Sequence, residues 1–282
     1  MLLVVRHLTH MHYPLGVASL ALRLRLFPQS FDGQRVIDWH VSVDGKEIER
    51  TIVGGYGERI AQWLAQGHRD ELEILAWGRV ETEDRAGIVA GLRRACPTGV
   101  FLRDTPATLA DAAIRALGDG VEPGMDTLYG LHALSARVRE ALPYRSGLTD
   151  STTTAAVALA GEGGVCQDHA HIFIAAARSR GIPARYVAGY LLAGDAEHQQ
   201  FETHAWAEAY VEGLGWVGFD VANGLCPTDH YVRLCTGLDA NDAAPVRGIV
   251  AGGGAGTVMA DVRVARGDGD VDAIQQQQQQ QQ

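Results

Sequence analysis

In three stretches of the first hundred residues the apolar side chains recur at every second position, and this alternation decides most of what the chain can become. Leu20, Leu22, Leu24 and Leu26 alternate with Ala21, Arg23 and Arg25. Ile37, Trp39, Val41 and Val43 repeat the pattern and run into an Asp44-Gly45 turn, and Leu72, Ile74 and Ala76 give a third run. A period of two puts successive side chains on opposite faces of a strand, one face buried and one wet. Half-buried strands of this kind assemble as an antiparallel sheet or sandwich. Arg23 and Arg25 then belong to the solvated face. No titratable constellation stands out among these strands.

The period changes near residue 104. "TPATLADAAIRALG" opens with Thr105-Pro106, a helix-start signal, and ends at Gly118. "GMDTLYGLHALSARVREALPY" reads as a second helix stopped by Pro143, and "LTDSTTTAAVALAGEGG" as a third, shorter one. A fourth begins at Cys166 and closes at Gly181-Ile182-Pro183. Alternation then returns in "ARYVAGYLLA", "THAWAEAYVE" and "GWVGFDV", and a glycine-rich turn leads to a last strand before residue 266. The chain therefore reads as α+β, with an N-terminal antiparallel β-domain over 1–103, a core of helices and then antiparallel strands over 104–266, and a tail over 267–282. The tail ends in Gln275 to Gln282, a polar tract that cannot bury enough apolar surface to order itself, so flexibility is expected there.

Charge and cysteine usage narrow the function classes. Lys and Arg number 24 against 34 Asp and Glu, a formal net charge of −10 spread along the chain. An acidic protein repels nucleic acid and anionic lipid, so neither is expected as a partner. No apolar run approaches the roughly 20 residues that span a bilayer. "MLLVVRHL" is interrupted at Arg6, too early for a signal-peptide core, so a cytoplasmic protein is expected. The four cysteines, Cys96, Cys166, Cys226 and Cys235, form no CxxC pair and do not suggest a disulfide framework. For Cys96, Cys226 and Cys235 the plain reading is a small buried hydrophobe.

Cys166 differs because of where it falls. "GEGGVCQDHAH" carries Gly161, Gly163 and Gly164 into the start of a helix. Unpaired backbone N–H groups and the macrodipole at a helix N-terminus favour an anion, and a thiol is a useful nucleophile only as thiolate. A cysteine nucleophile needs a base, and the base an orienting acceptor. His204 opens an alternating strand, and Asp220 lies near the end of the next one. A hairpin turn centred on Glu212 would set His204 opposite Asp220. A loop at Gly213-Leu214-Gly215 would instead set Glu208 opposite Asp220 and leave His204 about 13 Å away at strand rise. On spacing alone a triad and an unrelated surface His with a turn Asp both stand.

"GVCQDHAHIFIAAARSRGIPARYVAGYLL", "THAWAEAYVEGLGWVGFDVANG" and "APVRGI" followed by glycines resemble the bacterial transglutaminase-like family, whose core is that of the papain-like thiol enzymes. The strands around "LRLRLFP" and "GQRVIDWHVSV" resemble the β-domain that precedes this core, so the likeness extends to about residue 266. It implies Cys166 as nucleophile, His204 as general base and acid, and Asp220 as the acceptor that orients His204. Val221-Ala222-Asn223-Gly224 departs from the Pro-Thr-Asn-Gly that usually follows the aspartate.

Neighbouring residues admit two readings each. His169 and His171 could join Cys166 and His204 around zinc, but residues two apart on a helix do not face the same way. One of the two is expected to pack under the helix and make a single hydrogen bond, and no metal or cofactor is expected. Asp168 in the first helical turn suits the dipole. Trp206 and Glu208 share a strand face with His204, and Trp206 either shields the Cys–His pair or simply packs. Tyr144 and Gln167 are candidates for an oxyanion donor or a cleft wall, with turn packing the alternative for Tyr144. The chemistry implied is acyl transfer through a thioester on a protein or peptide substrate. Water as acceptor makes a peptidase or amidase, and an amine makes a cross-linking transglutaminase. A peptide-binding module with a non-working triad is the remaining alternative. Oligomeric state is left open.

Overall fold

A computed structural model describes residues 1–92, 96–124, 126–193 and 200–267; of the tail expected over 267–282, all but Gly267 lies outside the described residues. Two antiparallel sheets carry the molecule. The first has seven strands: β1 (Leu2–Phe27), β2 (Gln34–Val43), β3 (Lys46–Glu47), β4 (Ile52–Val53), β5 (Arg59–Thr82), and two late ones, β11 (Val246–Ala251) and β12 (Thr257–Arg266). The second has five: β6 (Ile88–Val89), β7 (Ala184–Ala193), β8 (Gln200–Val211), β9 (Gly215–Phe219) and β10 (Tyr231–Gly237), in the order β10-β7-β8-β9-β6.

The sheets do not follow the sequence division at residue 103. β6 lies within the first segment yet pairs with β9, while β11 and β12 come from the end of the second and pair with β1. β1 is also much longer than its alternating stretch. It starts at Leu2, and its inward positions include His7 and Thr9, 4% and 3% exposed. Two polar residues on the buried face interrupt the period that would have announced the strand. They are tolerated because they hydrogen-bond each other at 3.2 Å, and His7 Nδ1 lies 3.0 Å from the Tyr190 hydroxyl.

Arg25 corrects a second expectation. It is 1% exposed rather than solvated. A β-bulge region between Leu24 and Phe27 shifts the register of β1, so Leu24, Arg25 and Leu26 are all buried. Its guanidinium donates to Glu58 at 2.6 Å and to the carbonyls of Thr236 and Asp242. Arg23 is half-buried and reaches the Asp242 carbonyl at 3.5 Å.

Among the described residues four α-helices lie between β6 and β7 in sequence: α1 (Ala112–Leu117), α2 (Thr127–Ala141), α3 (Ala155–Ala160) and α4 (Cys166–Ser179). α1 starts later than the Thr105-Pro106 signal suggests. That pair opens a single 3-10 turn, Pro106–Thr108, and the helix proper waits for Asp111, whose carboxylate accepts from the Ile114 N–H at 2.8 Å. α4 is the buried axis of the core. Every residue from Ile172 to Ala177 is 0% exposed, with the other three helices and β8 packed against α4. Ala205, Ala207 and Ala209 present only methyl groups to it, so helix and strand approach closely.

α4 covers only part of that sheet face. Tyr186 and Ala207 pack under the helix, whereas Tyr190 and Leu192, further along the same face of β7, pack against the first sheet with Leu3, Val5 and Val264. Ala188 touches both cores. The two layers therefore meet in a seam over β7 and β8, at the N-terminus of α4.

Candidate active site

The start of α4 is fixed from several sides. Gly164 donates to the Pro143 carbonyl at 3.1 Å and accepts from the Arg145 N–H at 2.9 Å, which ties the glycine loop to the segment after α2. Asp168, 1% exposed, takes the Val165 N–H at 2.8 Å and the Thr149 hydroxyl at 2.6 Å on one oxygen. His169 lays its two ring nitrogens against the carbonyls of Val165 and Leu142, at 2.9 and 2.8 Å. The ring is thereby committed to the backbone and turned away from any ligand set with Cys166. Cys166 itself, at the first helical position, is half-buried.

His204 stands on β8 opposite Gly189 of β7. A β-carbon at Gly189 would lie 2.3 Å from the Val232 carbonyl and 2.5 Å from the Trp206 ring, so the strand can run here only as glycine. His204 Nε2 and Asp220 Oδ2 are 2.6 Å apart. The same ring is coupled to Cys166, whose side chain raises the His204 pKa through hydrogen bonding and charge.

The hairpin register is neither of the two considered from spacing. Val211 pairs with Gly215 and Ala207 with Phe219, leaving Glu212-Gly213-Leu214 as the loop. Continuing the register puts Trp206, not His204 or Glu208, opposite Asp220. His204 reaches the aspartate on the diagonal, a separation that long side chains on one sheet face bridge readily. Asp220 helps by leaving the strand. It follows the last residue of β9 and opens a tight loop closed by Asp220–Leu225 and Gly224–Asp220 backbone bonds. Gly224 takes φ +70° within it.

Asp220 is 1% exposed and heavily hydrogen-bonded. Its Oδ2 receives the Asn223 side-chain amide at 2.7 Å and the Tyr231 hydroxyl at 2.6 Å in addition to His204, and Oδ1 receives the Asn223 N–H at 3.2 Å. Burial alone would raise the Asp220 pKa, but the His204 hydrogen bond and charge, with those of Tyr231 and Asn223, hold it below the usual carboxylate range. Burial alone would lower the His204 pKa. Hydrogen bonds and charge from Asp220 and Cys166 outweigh it and raise the value to about 10. Trp206 stacks on the His204 ring at 6.3 Å, with Tyr231 edge-on to Trp206 at 5.5 Å, so the pair sits against an aromatic wall.

Cys166 and His204 open into a cavity of about 410 Å³ at the seam between the layers. α4 supplies Cys166 and Gln167, with Val165 just before it, and β7 and β8 supply the floor. His7 and Thr9 of β1 with Val258 and Ala260 of β12 form the facing wall. No Asp, Glu, Lys or Arg is among the described residues that line it. Burial lowers the His7 pKa to about 4, opposed only in part by Asp261, so this wall is uncharged at neutral pH.

The sequence candidates divide accordingly. Cys166, His204, Asp220, Gln167 and Trp206 are gathered in one place. Tyr144 is 54% exposed, stacks on His169 at 6.1 Å and is not among the cavity's lining residues. Glu208, fully buried, is the node of a separate ion cluster with Arg185 and Arg233 at 2.6 and 2.7 Å. Asn223 and Tyr231 escaped the sequence reading. Asn223 could have been noticed, because an Asn-Gly pair after a strand-end Asp marks a loop that folds back. Nothing around Tyr231 signals its contact.

A helix that opens on a cysteine and packs on an antiparallel sheet presenting a histidine and an aspartate is a thiol-enzyme type of fold. Residues 115–221 match the transglutaminase-like superfamily core and residues 3–81 the bacterial transglutaminase-like N-terminal region. An uncharacterised protein of Mycobacterium leprae is 32% identical over 254 residues, covering 86% of this chain and 90% of its own. The chain belongs to the bacterial transglutaminase-like family. A second uncharacterised relative, from Mycobacterium tuberculosis, is 28% identical over 272 residues, 87% of this chain and 86% of that protein. Among solved structures, a candidate cysteine protease from Cytophaga hutchinsonii superposes with a TM-score of 0.73 at 22% identity, over 96% of this chain and 92% of that one. This last likeness is one of fold.

Proposed function

We propose that the protein is a thiol hydrolase that cleaves peptide or side-chain amide bonds through a thioester on Cys166. The observation that carries the reading is the His204 ring spanning Cys166 and Asp220, with Nε2 2.6 Å from the carboxylate. The Cys166 thiolate attacks the carbonyl carbon, and the C–N bond breaks as His204 gives its proton to the leaving amine. Water then attacks the thioester. His204 takes its proton, the acid departs, and the thiolate and imidazolium are restored. Asp220 holds the ring throughout and stabilises its charged form. Apart from the Cys166–His204 pair the cavity lining carries no charge, which suits an uncharged acyl group, such as a glutaminyl or apolar side chain beside the scissile bond. A primary amine in place of water gives the isopeptide product of a transglutaminase by the same first half-reaction.

Incubation with glutamine-containing peptides, with and without a primary amine, tests this by mass spectrometry. Parent protein releases ammonia or a cleaved peptide and shows an acyl mass on Cys166, and Cys166→Ala shows neither. Amine incorporation at the expense of hydrolysis would turn the reading to transglutaminase. A Cys166→Ala variant as active as the parent would remove the mechanism, and an inert parent that binds peptides would favour a binding module.

A further inference from the structure

One group faces the cavity without a task in the fold. Tyr186 of β7 is 5% exposed and lines the cavity with Cys166 and Gln167. Its ring is held by packing, under α4 and tilted 45° against His171 at a centroid distance of 5.2 Å. His171 is itself fixed, since its Nε2 accepts the Ala240 N–H at 3.0 Å. Among the described residues nothing hydrogen-bonds the Tyr186 hydroxyl. Nor is that oxygen sealed among the orphaned polar atoms of the interior. The residue that carries it lines the cavity. An unpaired hydroxyl in so buried a place is unfavourable unless something in the cavity pairs with it.

The chemistry of the missing partner follows from the position. Burial, the Cys166 sulfur and the Asp168 carboxylate all oppose ionisation of the phenol, so it stays a donor well above neutral pH. An anion or a carbonyl oxygen pairs with a neutral donor. Within the same lining, the backbone N–H groups of Cys166 and Gln167 at the start of α4 have no hydrogen-bond partner among the described residues.

Resting on the thioester reading above, we propose that Tyr186 is a catalytic residue: its hydroxyl donates to the acyl oxygen of the bound amide and, with the free N–H groups at the α4 N-terminus, forms the oxyanion site of Cys166. Attack by sulfur moves the carbonyl electron pair onto that oxygen, and the two kinds of donor meet the charge as it forms. Packing under the helix holds the phenol in place before substrate arrives, so little reorganisation is required.

Tyr186→Phe removes the oxygen and keeps the ring. Two reactions of Cys166 then separate the roles: acylation by p-nitrophenyl acetate, which passes through an oxyanion, and alkylation by iodoacetamide, which does not. The expected result is an acylation rate lowered roughly 10²–10³-fold, as for loss of one oxyanion donor, with the ester KM, the alkylation rate and the melting temperature unchanged. Equal acylation by variant and parent would overturn the assignment. So would a parallel fall of acylation, alkylation and melting temperature, since that marks a packing role. A parent that is alkylated but never acylated would remove the thioester reading itself, and this inference with it.

Discussion

Three donors converge on one oxygen of Asp220, and a buried carboxylate so provided for has no freedom left to turn away from His204. The pH dependence of stability follows. The His204 pKa in the folded chain, about 10, lies above its unfolded value of about 6.5. The folded state therefore binds this proton more tightly. The stabilisation is complete below about pH 6.5 and is lost as pH rises through the folded value. Asp220 works at the other end, since its lowered pKa contributes stability above about pH 3.9 that disappears in acid. The His204 contribution to the melting temperature of the parent should therefore decline from about pH 6.5 to about pH 10 and be flat beyond. In His204→Gln this decline should be missing, so the gap between the two curves should shrink from about pH 6.5 to about pH 10. Curves that run parallel would mean His204 is not held as the cation. At this scale Cys166, His204 and Asp220 were legible because reactive residue types stood at element boundaries in a familiar order. Tyr231 and Tyr186 were not. A tyrosine in a strand reads as an ordinary β-former, and only the folded register gives its hydroxyl a direction.

Strands and helices were legible wherever their faces differed in polarity. The later part of β1, the run Leu72–Ala76 of β5 and the apolar stripe of α4 formed as expected, whereas a bulge near the start of β2 leaves Ile37 exposed and only Val41 and Val43 of its run fully buried. The period failed at the start of β1, where His7 and Thr9 replace apolar residues, and those same two residues wall the cavity. A strand that breaks its pattern on the buried face is thus one that faces a cleft rather than a core. The hairpin register could not be fixed from spacing, because loops of two, three and four residues are all compatible with the glycines at 213 and 215. Gly189 tests how tightly these strands hold the pair. In Gly189→Ala the new methyl would push against the Val232 carbonyl and Trp206. Overpacking of this kind costs about 1–3 kcal/mol. Because Gly189 pairs with His204, acylation should drop by more than the shift in thermal midpoint alone accounts for. An alanine variant with the parent's acylation rate and midpoint would show that the close approach does not position His204.

Across the molecule the two layers are tied by Arg25. From β1 it reaches Glu58 in its own layer and the carbonyls of Thr236 and Asp242 in the other. Glu58 is 5% exposed. Arg25→Met would strand that carboxylate, and an uncompensated buried charge costs about 3–5 kcal/mol. Urea unfolding should report a loss of this size, with part of it recovered in Arg25→Met/Glu58→Gln. A single variant as stable as the parent would show that the ion pair contributes nothing. No hydropathy pattern reveals an arginine used in this way, since its surroundings come from strands far away in sequence. The same distance governs how the molecule must be assembled. β12 pairs with the beginning of β1, Leu3 against Arg266 and His12 against Thr257, so one wall of the cavity joins segments roughly 250 residues apart. Closing so long a loop is entropically costly and slow, and local helices form far sooner. Cys166 would therefore reach its place at the head of α4 well before the wall opposite it exists. A folding intermediate of this chain should carry a thiol that small alkylating agents reach but no cleft to hold a peptide, so peptide turnover arrives last, with the meeting of the two remote strands.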